Sequence, residues 1–219
     1  MGWDWSFAFR VLPDLLRGLL VTVEVTVLGS LVAYALGLVL ALLRRSRIAV
    51  LSRLVQLFVE FVRSTPLLVQ IFFLFYVLPP TTGIKLSPLV TGVVALGVHY
   101  AAYTSEVYRA GIEAVPRGQW EAATALNLPR NRVWIGVVLP QALPRVVPAL
   151  GNYTISMFKE TPLLLAIGVL DVVNRAKEAG AEYYRFTEPY TMAGLLFLLV
   201  SYPASVLVRR LERRVGRQH

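Results

Sequence analysis

The sequence predicts an all-α membrane protein with five transmembrane helices and a cytoplasmic helix between the third and fourth. Three observations predict it. Of 219 residues, 56% are hydrophobic and only 16% charged, with a mean hydropathy of +0.61. The apolar residues gather in runs long enough to cross the hydrocarbon, which takes about 20 residues. Residues 19–43 hold one charge, Glu24, and residues 190–208 hold none. Cations cluster beside the ends of these runs, as membrane topology requires.

The first span covers roughly residues 18–43. Residues 1–17 lack the short apolar core and cleavage site of a secretory signal, so this span is expected to be permanent. The second covers about 50–78 and carries Glu60 and Arg63. Pro79-Pro80 is expected to end it, because proline cannot continue a helix. The third covers about 88–110, the fourth about 146–170 and the fifth about 189–208. Arg44, Arg45, Arg47 and Arg53 follow the first span; Arg117, Arg130, Arg132 and Arg145 lie between the third and fourth. Arg209, Arg210, Arg213, Arg214 and Arg217 follow the fifth. Five spans put these groups on one side, which the arginine bias makes the cytoplasm, with the N-terminus outside.

Composition excludes several functions. Without cysteine there is no disulfide framework or thiolate site, and His99 and His219 cannot build a metal cluster alone. The net charge of +9 does not form a basic stripe with interleaved aromatics, so nucleic acid is not expected. No nucleophile triad or HExxH motif supports an enzyme. No GxxxxGK[ST] loop is present, so ATP is not held by that chemistry and no cofactor is expected in this chain.

Charges inside the hydrocarbon cost roughly 3 kcal/mol or more each and need a reason. Glu60 with Arg63, and Glu106 with Arg109, stand three residues apart and are expected to form structural or gating ion pairs. A second signal is a repeat. RSTPLL occupies 63–68 and KETPLL occupies 159–164. Threonine is a good N-cap and proline suits a first helical position, so each copy reads as a helix start inside a span. Such a break belongs where backbone lines a cavity, and a helix N-terminus there attracts a carboxylate. Lys159, Glu160 and Thr161, with Thr65 and Gln70, are the expected solute-site residues. Opposite charges beside a helix start suit a zwitterion.

The long segment between the third and fourth spans, about 111–142, has its own helical stretch. Residues 118–126 are helix formers bracketed by Pro116 and Pro129, with Trp120, Ala123 and Thr124 along one side. This reads as an interfacial helix or as a docking helix for a partner. The stretch resembles the EAA signature of ABC-transporter permeases. Glu121-Ala122-Ala123 is followed by Asn127 at the glycine position, Val137 at the isoleucine position and Leu139-Pro140, with spacing intact. Asparagine is the best non-glycine residue for a left-handed turn. FVRSTPLLVQIFFLFYVLP, AAYTSEVYRAGI, LPQALPRVVPALGN and KETPLL further resemble the polar amino-acid uptake branch.

That resemblance implies a single permease domain over 1–219 in the cell inner membrane, set among membrane lipid. It implies a second permease subunit, identical or homologous. It also implies ATPase subunits that bind ATP and magnesium, and an extracytoplasmic solute-binding protein. The solute would be a polar amino acid. Gly118, Glu121, Ala122, Ala123 and Asn127 would couple the chain to the ATPase. A self-sufficient carrier or channel is the alternative.

Overall fold

The structure is a computed structural model that describes residues 2–216, with side chains through residue 213. Of the arginines expected after the fifth span, Arg217 and the side chain of Arg214 lie outside the described residues. Eight helical segments and no strand occur among the described residues. They are α1 (Trp5–Arg44), α2 (Ala49–Ser64), α3 (Leu67–Thr82), α4 (Pro88–Glu113), α5 (Arg117–Ala125), α6 (Arg130–Ile167), α7 (Val172–Tyr183) and α8 (Thr187–Gly216).

By length and apolarity, α1, α6 and α8 can each cross a membrane, and the α2–α3 pair makes four if it is one broken span. The remaining expected span, α4, is long enough but less apolar. It is enclosed by other helices and buries His99, Tyr100, Thr104 and Ser105 rather than facing lipid with aliphatic residues. α1 starts well before residue 18, because Asp4 caps it by accepting from the backbone N–H groups of Ser6 and Phe7. Its 40 residues span about 60 Å, twice the ~30 Å hydrocarbon.

α1 and α4 form the central pair. Gly37 lets them meet: a Cβ there would lie 2.1 Å from the Thr104 hydroxyl oxygen. That hydroxyl donates to the Ala33 carbonyl of α1 at 2.8 Å. Close approach through small residues is the usual packing device where lipid removes the hydrophobic drive between helices. Ala33, Leu96, Tyr100, Met157, Leu164 and Ile71 build the main buried cluster around this pair.

The two Thr-Pro copies do not both start helices, which corrects the sequence expectation. At the first, Thr65 (φ −107°, ψ 140°) and Pro66 (ψ 135°) are extended and the chain bends by 106°. The second span is therefore no single rod. At the second copy the helix runs on: Thr161 keeps φ −53° and ψ −30°, and residues Thr161–Ile167 tighten into a 3₁₀ helix. Neither threonine N-caps the residues that follow. The Thr65 hydroxyl donates back to the Phe61 and Val62 carbonyls, at 3.0 and 3.2 Å, and the Thr161 hydroxyl to the Phe158 carbonyl at 2.9 Å. Val62 and Phe158 lie four residues before Pro66 and Pro162, so theirs are the carbonyls that each proline leaves unbonded. The hydroxyl stands in for the missing N–H.

Pro79-Pro80 does not end α3 either. A π-helical turn, Phe73–Val77, precedes it, and Leu78 N–H reaches back five residues to Phe73. The same arrangement recurs in α6, where Val133–Val138 is π-helical and Leu139-Pro140 follows. The wider turn carries the chain past residues that cannot donate to the α-helical ladder. α3 then stops at Gly83, in the left-handed conformation. The same π turn starts α6 sixteen residues before the expected fourth span, since it lets Pro140 be passed without a stop.

α7 caps the N-terminal third of α1. A Cβ at Gly18 would lie 2.8 Å from the Asp171 carbonyl oxygen, and the Val172 N–H donates to the Thr22 hydroxyl at 3.3 Å. Asp171 N-caps α7, its Oδ1 accepting from Asn174 N–H at 2.9 Å. Its Oδ2 is buried without a partner among the described residues. Burial pushes this carboxyl up to about 6. The folded state therefore holds a proton that the unfolded chain releases near 4, and stability falls as pH rises through that window. The loss is at most about 3 kcal/mol. Asp171→Asn keeps a capping side chain and removes the charge. Its melting temperature should exceed wild type at pH 7.5, and the two should converge at pH 4. Parallel melting curves at both pH values would refute this account of Asp171.

Candidate functional site

The residues singled out by the repeat converge on α4, but with different members than expected. Gln70, one turn into α3, staples the 106° break. Its Nε2 donates to the Val62 carbonyl at 2.8 Å and to the Thr65 hydroxyl at 2.7 Å. Its Oε1 accepts from His99 Nδ1 at 3.1 Å, which assigns the ring proton to that nitrogen. Thr65 and Gln70 are thus brought together, and both line an apolar groove of about 300 Å³ with Phe61, Phe73 and Val98.

Glu160 is half-buried and accepts from the Tyr100 hydroxyl at 2.9 Å. Lys159 points the other way and is exposed, so it does not join Glu160. Adjacent helical residues diverge by about 100°, which forbids a shared face. Thr161 is fully buried, its hydroxyl committed to Phe158. It lines no open site, contrary to expectation.

A group of aromatics that the sequence reading did not single out fills the space between the two motifs. Tyr100 and Tyr103 of α4 meet Tyr153 of α6, with ring centroids 5.9 and 5.7 Å apart. His99 lies 5.2 Å from Tyr103. The Arg63 guanidinium sits 5.4 Å from the Tyr103 centroid, a cation–π distance. The chain of contacts Arg63–Tyr103–Tyr153–Tyr100–Glu160 therefore carries a cation at one end and a carboxylate at the other. Glu60 holds Arg63 only loosely, at 3.7 Å. The signal was present as His99-Tyr100 followed by Tyr103, three polar-tipped rings within about a turn of a membrane helix.

At the arginine-rich end a second ion pair has grown into a network. Glu106 accepts from Arg109 Nε at 2.8 Å and from Arg44 of α1, while Arg109 Nη1 donates to Glu113 at 2.6 Å. This ties α1 to α4 next to α5. α5 is clamped by Ala123, which is buried, and by Trp120, whose ring meets Trp134 edge-on at 5.6 Å. It ends in a Schellman turn: Asn127 takes φ +49°, Leu128 N–H donates to Ala123 O, and Asn127 N–H to Thr124 O. Gly118, Glu121, Ala122 and Leu126 face away from the protein, Leu126 with 72% of its surface exposed.

The chain belongs to the family of inner membrane components of binding-protein-dependent transport systems, which matches residues 33–217. It is 46% identical over 206 residues to a protein of Sinorhizobium fredii named a probable amino-acid ABC transporter permease, covering 94% of this chain and 89% of that one. It is 34% identical over 215 residues to the arginine transport system permease protein ArtQ of Bacillus subtilis, covering 98% of each. The fold superposes with a TM-score of 0.91 on a chain from the crystal structure of an amino acid ABC transporter with histidines, at 33% identity over 98% of this chain and 100% of that one. This is therefore a multi-pass membrane transport subunit of the ABC class. A self-sufficient carrier or channel is not favoured.

Gln70→Leu removes the staple at the bend and the partner of His99. We expect faster amide exchange over residues 65–70 and a melting temperature lowered by several degrees, corresponding to about 1–3 kcal/mol for the polar groups left unpaired. Unchanged exchange at the bend would show that the break holds itself without Gln70.

Proposed function

We propose that this chain is the transmembrane subunit of an ATP-driven amino-acid importer. The match to amino-acid ABC permeases along nearly the whole chain carries this reading. A second permease subunit completes the solute pathway, ATPase subunits bind ATP and magnesium, and an extracytoplasmic protein delivers the solute. The arginine-rich end, with α5 and the loop about 111–142, lies in the cytoplasm, and the Trp5 and α7 end lies outside. α4 is the fifth span, its polar face turned to the other helices instead of lipid.

α5 is the coupling helix. One side is fastened to the membrane helices through Ala123 and Trp120, and the other offers Glu121, Ala122 and Leu126 to a partner. The Arg44–Glu106 ion pair ties α1 to α4, and Arg109–Glu113 closes the end of α4 just before the chain enters α5. Rotation of α5 on the ATPase thus reaches the membrane helices through packed side chains.

The tyrosine chain between Arg63 and Glu160 is the solute site. The amino acid's ammonium is held by Glu160 and the tyrosine faces. Its carboxylate is held by Arg63, whose hold on Glu60 is loose. Gln70 and Thr65 keep that bend in shape. Lys159 stands apart from this site, and Thr161 serves the helix.

Two substitutions separate these roles. Glu121→Lys should leave the protein inserted but cut ATP-dependent uptake in vesicles by about tenfold or more while the ATPase still hydrolyses; normal uptake would sink the coupling assignment. Glu160→Gln should raise the apparent KM for cationic and zwitterionic amino acids about tenfold, as expected for losing one charge-assisted contact. If it moves every solute at unchanged apparent affinity, selection lies in the binding protein alone.

A further inference from the structure

At the arginine-rich end, a cleft of about 610 Å³ opens between the end of α1, α5 and the start of α6. Arg45 and Arg47 line it from the α1–α2 turn, and Arg130 from the first position of α6. None of the three has a carboxylate within salt-bridge distance among the described residues, unlike Arg44 and Arg109 nearby. Trp120 and Trp134 also line it, with the Arg45 guanidinium 5.9 Å from the Trp134 centroid. α6 begins here with Pro129 extended. Its Arg130 and Asn131 N–H groups make no backbone hydrogen bond among the described residues. Three unneutralised guanidiniums and a helix N-terminus thus converge on one space.

Apolar surface borders the cleft. Ile48 and Val50, directly after Arg47, are 63% and 68% exposed. A soluble anion would have no use for this surface. A lipid with a phosphate head and acyl chains would use both.

We propose that this cleft binds the headgroup of an anionic phospholipid, with its acyl chains along Ile48 and Val50. The phosphate takes Arg45, Arg47 and Arg130, and the tryptophans flank the headgroup at the interface, where such rings favour residence. Because Trp120 belongs to α5, the lipid braces the helix assigned to coupling. That consequence rests on the importer reading; the binding itself does not.

The test is lipid retention by the purified complex of this chain and its ATPase in mild detergent. Native mass spectrometry reads it, with phosphatidylglycerol and phosphatidylcholine as probes. Wild type should keep phosphatidylglycerol in preference to phosphatidylcholine. Changing Arg45, Arg47 and Arg130 together to Gln should weaken that retention by roughly a hundredfold. The same three positions as Lys should recover most of it, which shows that folding is not the cause. Arg209→Gln with Arg210→Gln should leave it unchanged. Equal retention in the Gln triple variant overturns the site, as does an equal loss in the Arg209 and Arg210 variant. Full displacement by millimolar inorganic phosphate would make it a free-phosphate site. Loss of the ATPase with phosphatidylglycerol kept would make it a protein-docking surface. Normal uptake by Glu121→Lys with lipid retention intact would fell the coupling reading and leave this one standing.

Discussion

A proline inside a membrane helix leaves one carbonyl without its N–H, and no water in the hydrocarbon can replace it. Much of this fold follows from how those carbonyls are served. At Pro66 and Pro162 the preceding threonine supplies a hydroxyl to the carbonyl four residues before the proline. At Pro79 and Pro140 a π-helical turn shifts the ladder before the proline is reached. At these four positions the helices carry prolines while their freed carbonyls or shifted ladders find partners within the chain.

The threonine device is the same in both copies, yet the outcomes differ. At the first, Gln70 supplies three further donor contacts and holds the chain in a 106° bend. At the second, Leu164 packs into the core beside α4 and the helix narrows to 3₁₀ without turning away. α4 receives both products. His99 meets Gln70 from the bend, and Tyr100 meets Glu160 from the end of the α-helical part of α6. Its polar face is both what keeps it from reading as a strong span and what makes it the meeting point.

The arginine-rich end follows a different rule. There water is close, and charge rather than backbone satisfaction organises the structure. Arg44 and Arg109 neutralise Glu106 and fasten α1 to α4. Arg45, Arg47 and Arg130 remain without carboxylate partners among the described residues and surround a cleft beside α5. One set of arginines is structural; the other is available to an anion.

The helical class and the α5 segment were legible in the sequence, because run length, proline brackets and arginine placement are local properties of the chain. Asn127 as a left-handed helix end was legible for the same reason: its backbone preference is its own. The bend at Thr65-Pro66 and its absence at Thr161-Pro162 were not legible, since the two hexapeptides differ at only two positions. What separates them is Gln70, which a partner holds from another helix, and the burial of Thr161 and Leu164. Lys159 and Glu160 do not share one site, because adjacency in sequence opposes adjacency on a helix face. The chain's local chemistry thus determined that it would be helical, membrane-borne and interrupted by proline. Only tertiary packing decided which interruption bends, which charge turns inward, and that tyrosines from two distant helices meet between Arg63 and Glu160, because those outcomes depend on contacts between residues far apart in the chain.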